Sequence, residues 1–143
     1  MGHMDDTTTP RESILGSEDM YTRRQFAEAT RVGDTVWLSG QRGFDAQGNI
    51  SDDPAEQARV TFANIAELLE KAGSSLADIV SLTSYHVDMA DFEGFHEVKR
   101  EFIREPYPSW TAVGVSALAN PRMKIEVAAV AVIGSGRNAR RIG

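Results

Sequence analysis

PSWTAVGVSALANPRMKIEVAAVAV, residues 108–132, is the stretch on which the fold turns. It divides into two strand-forming runs, 109–115 and 124–132, joined by a loop over 116–123 that carries Asn120-Pro121. Two residues are out of character for a plain sheet. Glu126 is an acid inside an otherwise apolar strand, where an unpaired charge is costly. Trp110 shares a strand face with Ala112 and Gly114, so a large ring stands beside almost empty positions. An acid near a hollow marks a candidate site.

Working back from this stretch, Phe92, Phe95, Val98 and Phe102 form the inward stripe of a helix that starts at Asp91 and stops before Pro106. Residues 79–87 read as a strand, with Ser81, Thr83 and Tyr85 alternating against Val80, Leu82 and Ser84. His86 falls on the Val80 and Leu82 face, where a buried or interfacial histidine is expected. The clearest helix precedes this strand. Asp53 can cap it, and Pro54 suits the first helical position, where its missing N–H is not needed. Ala55, Ala58, Phe62, Ile65, Leu69 and Ala72 then make one apolar stripe, and Gly73 ends it. Thr35-Val36-Trp37-Leu38-Ser39 is a compact strand. The turn signal Val32-Gly33-Asp34 predicts a hairpin between it and a weak strand pattern over 21–31.

Residues 1–20 are polar and aperiodic and are expected to be disordered, with Met1-Gly2-His3-Met4 reading as an expression scar. Residues 135–143 are expected to be a flexible tail. A single α+β domain over 21–134, of order β-β-α-β-α-β-β, remains.

Composition excludes several function classes. Net charge is −6, from 15 basic and 21 acidic residues, which argues against a general polyanion partner such as RNA. There is no cysteine, so thiol nucleophiles, disulfides and thiolate zinc sites are excluded. No apolar run reaches membrane-spanning length and no signal peptide is visible, so a cytoplasmic protein is expected.

Two helices cannot cover both faces of such a sheet. The helix stripes should cover one face, and the other is expected to carry Ser84, Ala112, Gly114 and Ala128. Small side chains permit close approach, so this second face is expected to pack against other copies of the chain, with clefts at the subunit boundaries.

Val36-Trp37-Leu38-Ser39-Gly40-Gln41 resembles the strand signature of the Rid family, also called YjgF or L-PSP endoribonuclease-like proteins. Asp78-Ile79-Val80 and Asp91-Phe92 look like further landmarks, and Tyr107-Pro108-Ser109-Trp110-Thr111 with Lys124-Ile125-Glu126-Val127 resembles the C-terminal signature. The resemblance runs from about residue 26 to 133. It implies a chorismate-mutase-like fold, a sheet packed by two helices on one face, and a homotrimer with a small-molecule site in each intersubunit cleft. It implies hydrolysis of reactive enamines and imines without a metal or organic cofactor.

The resemblance also assigns positions. Glu126 matches the acid that orients water, and Ser39 matches the serine of the strand signature; both are candidate catalytic residues. A cleft tyrosine becomes Phe26, and an asparagine of the second helix becomes His96. Backbone groups at Thr111 and Ala112 would contact substrate. The arginine that pairs with the substrate carboxylate in deaminating members is replaced by Trp110, which cannot do so. Trp110 either fills the cleft or forms a flat wall for an apolar or aromatic ligand. Arg42 could supply the missing cation from a new direction, against a bland reading as a solvated loop arginine. No metal-ligand spacing joins the histidines to Glu126, so no metal site is expected.

The reading that results is a Rid-like hydrolytic deaminase of altered substrate preference. The alternative is a non-catalytic small-molecule-binding or regulatory trimer. Endoribonuclease activity fits an acidic chain without a basic, aromatic stripe poorly.

Overall fold

Gly33 takes φ +59, a left-handed conformation that joins β2 (Ala29–Val32) to β3 (Thr35–Gln41) as the expected hairpin. In this computed structural model, which describes residues 7–143, the remaining elements are β1 (Arg11–Ile14), α1 (Glu18–Arg24), α2 (Pro54–Lys71), β4 (Ile79–His86), α3 (Phe92–Phe102), β5 (Ser109–Gly114) and β6 (Ile125–Val132). The sheet order is β1-β2-β3-β6-β4-β5, antiparallel except for the β4–β5 pair, whose crossover carries α3.

Helix α2 follows its sequence signals closely. The Asp53 carboxylate accepts from the Ala55 N–H at 3.1 Å. Gly73, at φ +85, and Ser74 return their N–H groups to the carbonyls of Glu70 and Leu69, which closes the helix with a Schellman pattern. Ala58, Phe62, Ile65 and Leu69 are buried. The Phe62 ring reaches Phe95 and Phe102 of α3 at centroid distances of 5.7 and 5.4 Å. Both helices therefore lie on one face of the sheet. β6 alternates beneath them, with Ile125, Val127, Ala129 and Ala131 buried and Glu126, Ala128 and Val130 facing the other way.

The N-terminal segment departs from expectation. The disorder expected for residues 1–6 lies outside the described residues. Residues expected to be disordered up to 20 instead form β1 and open α1, which takes the place of the first part of the weak strand pattern from 21. β1 adds an edge strand by pairing its backbone with β2. α1 is capped by Ser17 and carries Glu18 and Asp19 in its first turn and Arg23 and Arg24 in its last, as the helix dipole favours.

The expected flexible tail begins with a docked turn. Asp78 accepts from the Gly136 N–H and the Ser74 hydroxyl, both at 2.9 Å. Burial would raise this carboxyl, but hydrogen bonds from the Gly134 and Gly136 backbone and from Ser74, with Arg137 nearby, outweigh it and hold the group below its ordinary value.

The uncovered face is corrected in composition. Parallel pairing sets Leu82, Ser84 and His86 beside Trp110, Ala112 and Gly114, and Leu82, Ser84 and His86 are buried beneath the helices. Ser84, Ala112 and Gly114 therefore belong to the helix side. Ala128 is on the uncovered face as expected, with Thr83, Thr111, Val113, Val130 and Trp37, which is 45% exposed. Strand alternation separates two faces without telling which one the helices cover. No helix among the described residues is long and apolar enough to cross a membrane.

Candidate functional site

The structure distributes the candidate residues over two patches. The first surrounds an irregularity in β3. Pairing with β6 shifts register between Leu38 and Gln41, and there the Ser39 N–H bonds to the Glu28 carbonyl at 2.9 Å. The Ser39 hydroxyl donates to the Ala27 carbonyl at 2.7 Å. Gly40 follows, and a Cβ there would collide with the Glu126 carboxylate. The missing side chain lets Glu126 lie against the β3 backbone. Its carboxylate has no hydrogen-bond or ion-pair partner among the described residues, although the residue is half-buried.

Arg42 and Phe26 complete this patch. The Arg42 guanidinium donates to the Gly40 carbonyl at 2.8 Å and lies 5.9 Å from the centre of the Phe26 ring. Its other terminal nitrogen pairs at 3.0 Å with Glu28, whose second oxygen accepts from Gln41 at 2.8 Å. Arg42 is thus a braced ion-pair member, not a solvated loop arginine, and its charge is already engaged. Sequence reasoning missed Glu28, which is buried and organises the network; a lone acid in a polar stretch carries no signal of burial.

The second patch lies between β5 and α3. The Trp110 ring runs along α3, parallel to Phe92 at 5.3 Å and to His96 at 5.7 Å, with the Lys99 ammonium 4.4 Å from its centre. Its indole N–H donates to the Ser84 hydroxyl at 2.9 Å, and that hydroxyl meets His86 Nε2 at 2.8 Å. An indole can only donate, so Ser84 accepts from Trp110, and the hydroxyl and the imidazole share the proton of their own contact according to the His86 tautomer. His86 Nδ1 on the other side of the ring is enclosed and has no hydrogen-bond partner among the described residues. Ala112 is exposed on the same side of β5, while the Thr111 side chain points to the uncovered face.

Burial pushes the His86 imidazole below its ordinary 6.5, against the pull of Asp91. The unfolded chain therefore binds the extra proton more readily. Stability is expected to be full above about pH 6.5 and to fall as pH drops through that value. A His86→Gln variant should flatten that part of a Tm–pH profile; an unchanged slope would remove His86 as its source.

Of the two readings of Trp110, packing favours the filler: its N–H and its ring, against Phe92, Phe95 and His96, are engaged inside the protomer. Trp110→Arg is accordingly expected to destabilise the chain by about 2 kcal/mol or more, because it removes a stacked indole and sets a guanidinium beside the Lys99 ammonium. Thermal unfolding measures this directly, and an unchanged Tm would show the ring to be dispensable.

The two patches do not meet within one protomer. Glu126 and Trp110 point to opposite faces of the sheet, and β3 and β5 are separated by β6 and β4, roughly 14 Å at ordinary strand spacing.

A family model described as endoribonuclease L-PSP matches residues 17–133. The chain belongs to this family, the Rid family. It is 39% identical over 116 residues to the RutC family protein YjgH of Escherichia coli, covering 80% of this chain and 88% of that one. It is 31% identical over 111 residues to a human 2-iminobutanoate/2-iminopropanoate deaminase, covering 76% and 80%. Among solved structures, Rv2704 of Mycobacterium tuberculosis, from the YjgF/YER057c/UK114 family, superposes with a TM-score of 0.78 at 27% identity over 87% of this chain and all of that one. The architecture is thus the chorismate-mutase-like α+β fold of Rid proteins.

Proposed function

We propose that this Rid protein is a hydrolytic deaminase of small imines and enamines, with a substrate preference altered at position 110. The observation that carries the reading is the Glu126 carboxylate, unpartnered among the described residues and given room against β3 by Gly40. A half-buried carboxylate without a cation is placed to take a proton from water. The chemistry asks for little more. Water adds to the carbon of the protonated imine while Glu126 accepts a proton. That proton passes to the nitrogen, and ammonia leaves as the new hydroxyl gives its own proton to Glu126 and becomes the carbonyl; Glu126 then releases this proton to ammonia or water. Enamines enter by tautomerising to the imine. The named substrates of the human relative, 2-iminobutanoate and 2-iminopropanoate, are of this kind.

A complete site on this reading needs a second copy. Two half-sites on opposite faces of one sheet can join only across an interface, one that sets the uncovered face of one copy, bearing Glu126 and Trp37, against the β5 edge of another. A homotrimer with three such clefts is the proposed assembly; its solution mass, three times that of the chain, is measurable by light scattering. The cytoplasm, where amino-acid metabolism generates imines, is the proposed location.

The test generates short-lived imines from acidic, neutral and aromatic amino acids with an amino-acid oxidase and follows ammonia release with and without the protein. Acceleration is expected for at least one class. None in any class would leave the second reading, a binding trimer, which the packed Trp110 ring favours.

A further inference from the structure

Lys99 is the anomaly of the second patch. It lies on the apolar stripe of α3, one turn beyond His96 and two beyond Phe92, and is only 7% exposed. A buried lysine normally answers to an acid. Here no carboxylate pairs with the ammonium and no hydrogen bond leaves it among the described residues, in a chain with 21 acidic residues. What it meets is the Trp110 ring. The enclosed, unpartnered side-chain polar atoms among the described residues are Nδ1 of His86 and Nδ1 of His96, so the ammonium itself keeps an opening to water. Beside it, His96 presents a nitrogen without a partner against the same ring. Just beyond lies the exposed Ala112 and Gly114 edge of β5.

We propose that Lys99 is the anion anchor of the site: it binds the carboxylate of the substrate from α3, with Trp110 holding the ammonium in place, so that the charge absent from residue 110 enters from the neighbouring helix. This rests on the deaminase reading for what the substrate is, though not for the binding itself. An ammonium is a point charge without the guanidinium fork, so it attracts a carboxylate without dictating its plane. The anchor therefore suits 2-imino and 2-oxo acids that approach at varied angles over the flat, apolar β5 edge, and it discriminates against neutral imines of the same size.

Calorimetric titration with 2-oxobutanoate, a keto acid of the product class, and with its neutral amide tests the anchor. The intact protein should bind the acid more tightly than the amide. Lys99→Met, which keeps the stem over the indole, should weaken acid binding by about 10- to 100-fold and leave the amide unchanged. Lys99→Arg should retain the acid. Equal affinity for acid and amide in the parent protein, or acid binding unaffected in Lys99→Met, overturns the proposal, and the first comparison needs no variant to fold. Lys99-dependent binding without imine hydrolysis would uphold the anchor and sink the deaminase reading. Hydrolysis that ignores Lys99 would do the reverse.

Discussion

Glu126→Gln is expected to lower imine hydrolysis by about 10²- to 10⁴-fold, the range for loss of a positioned general base, while Tm barely moves. The split between the two measurements is the point. Glutamine preserves the shape that fits against Gly40, and the parent carboxylate makes no hydrogen bond or ion pair among the described residues that the change would break. A substitution that removes no contact costs little, within about 0.5 kcal/mol. A large loss of stability would mean that Glu126 is structural, paired in the assembly with a group that one protomer does not contain. Full activity in the glutamine variant would remove the residue from the chemistry.

Gln57→Leu is expected to cost about 3–5 kcal/mol, enough to lower Tm by about 10 °C or more. Gln57 is fully buried at the start of α2, where its amide N–H groups donate to the carbonyls of Ser51 at 2.7 Å and Arg122 at 3.0 Å. Its oxygen accepts from the Lys124 N–H at 2.9 Å. Leucine matches the volume but leaves three backbone groups without partners. Urea unfolding measures the cost, and a loss under about 1 kcal/mol would show that water takes over these bonds. The clip also bears on the site, since it holds the chain two residues before Glu126. A variant that still folds should lose activity through the misplaced acid.

The parts of the fold legible in the sequence are those whose signals are local. Asp53, Pro54 and Gly73 bounded α2 because caps and backbone conformations act within a few residues. Gly33 marked its hairpin for the same reason. β1 and the polar α1 were missed because nothing in their periodicity announces them. β1 exists through backbone pairing with β2, and backbone hydrogen bonds leave no trace in residue type.

The site divides in the same way. The order of motifs identified the Rid scaffold, Glu126 stood out as an acid in an apolar strand, and the change at residue 110 was visible in the chain alone. The destination of each side chain was not. Alternation says that Glu126 and Ala112 differ in parity from their neighbours, but only strand register against the helices says which parity is covered. Lys99 had a readable signal, a lysine on the stripe of Phe92 and Phe95, yet its lack of an acidic partner among the described residues depends on side chains distant in sequence. The sequence by itself determined the family, the main elements and the chemically unusual residues, since these rest on residue type and short-range spacing. Tertiary structure alone decided that Trp110 is packed under α3, that Arg42 is engaged by Glu28, and that Glu126, on the opposite face, is unpartnered among the described residues. Burial and charge pairing are properties of space, set by which distant segments the sheet brings together.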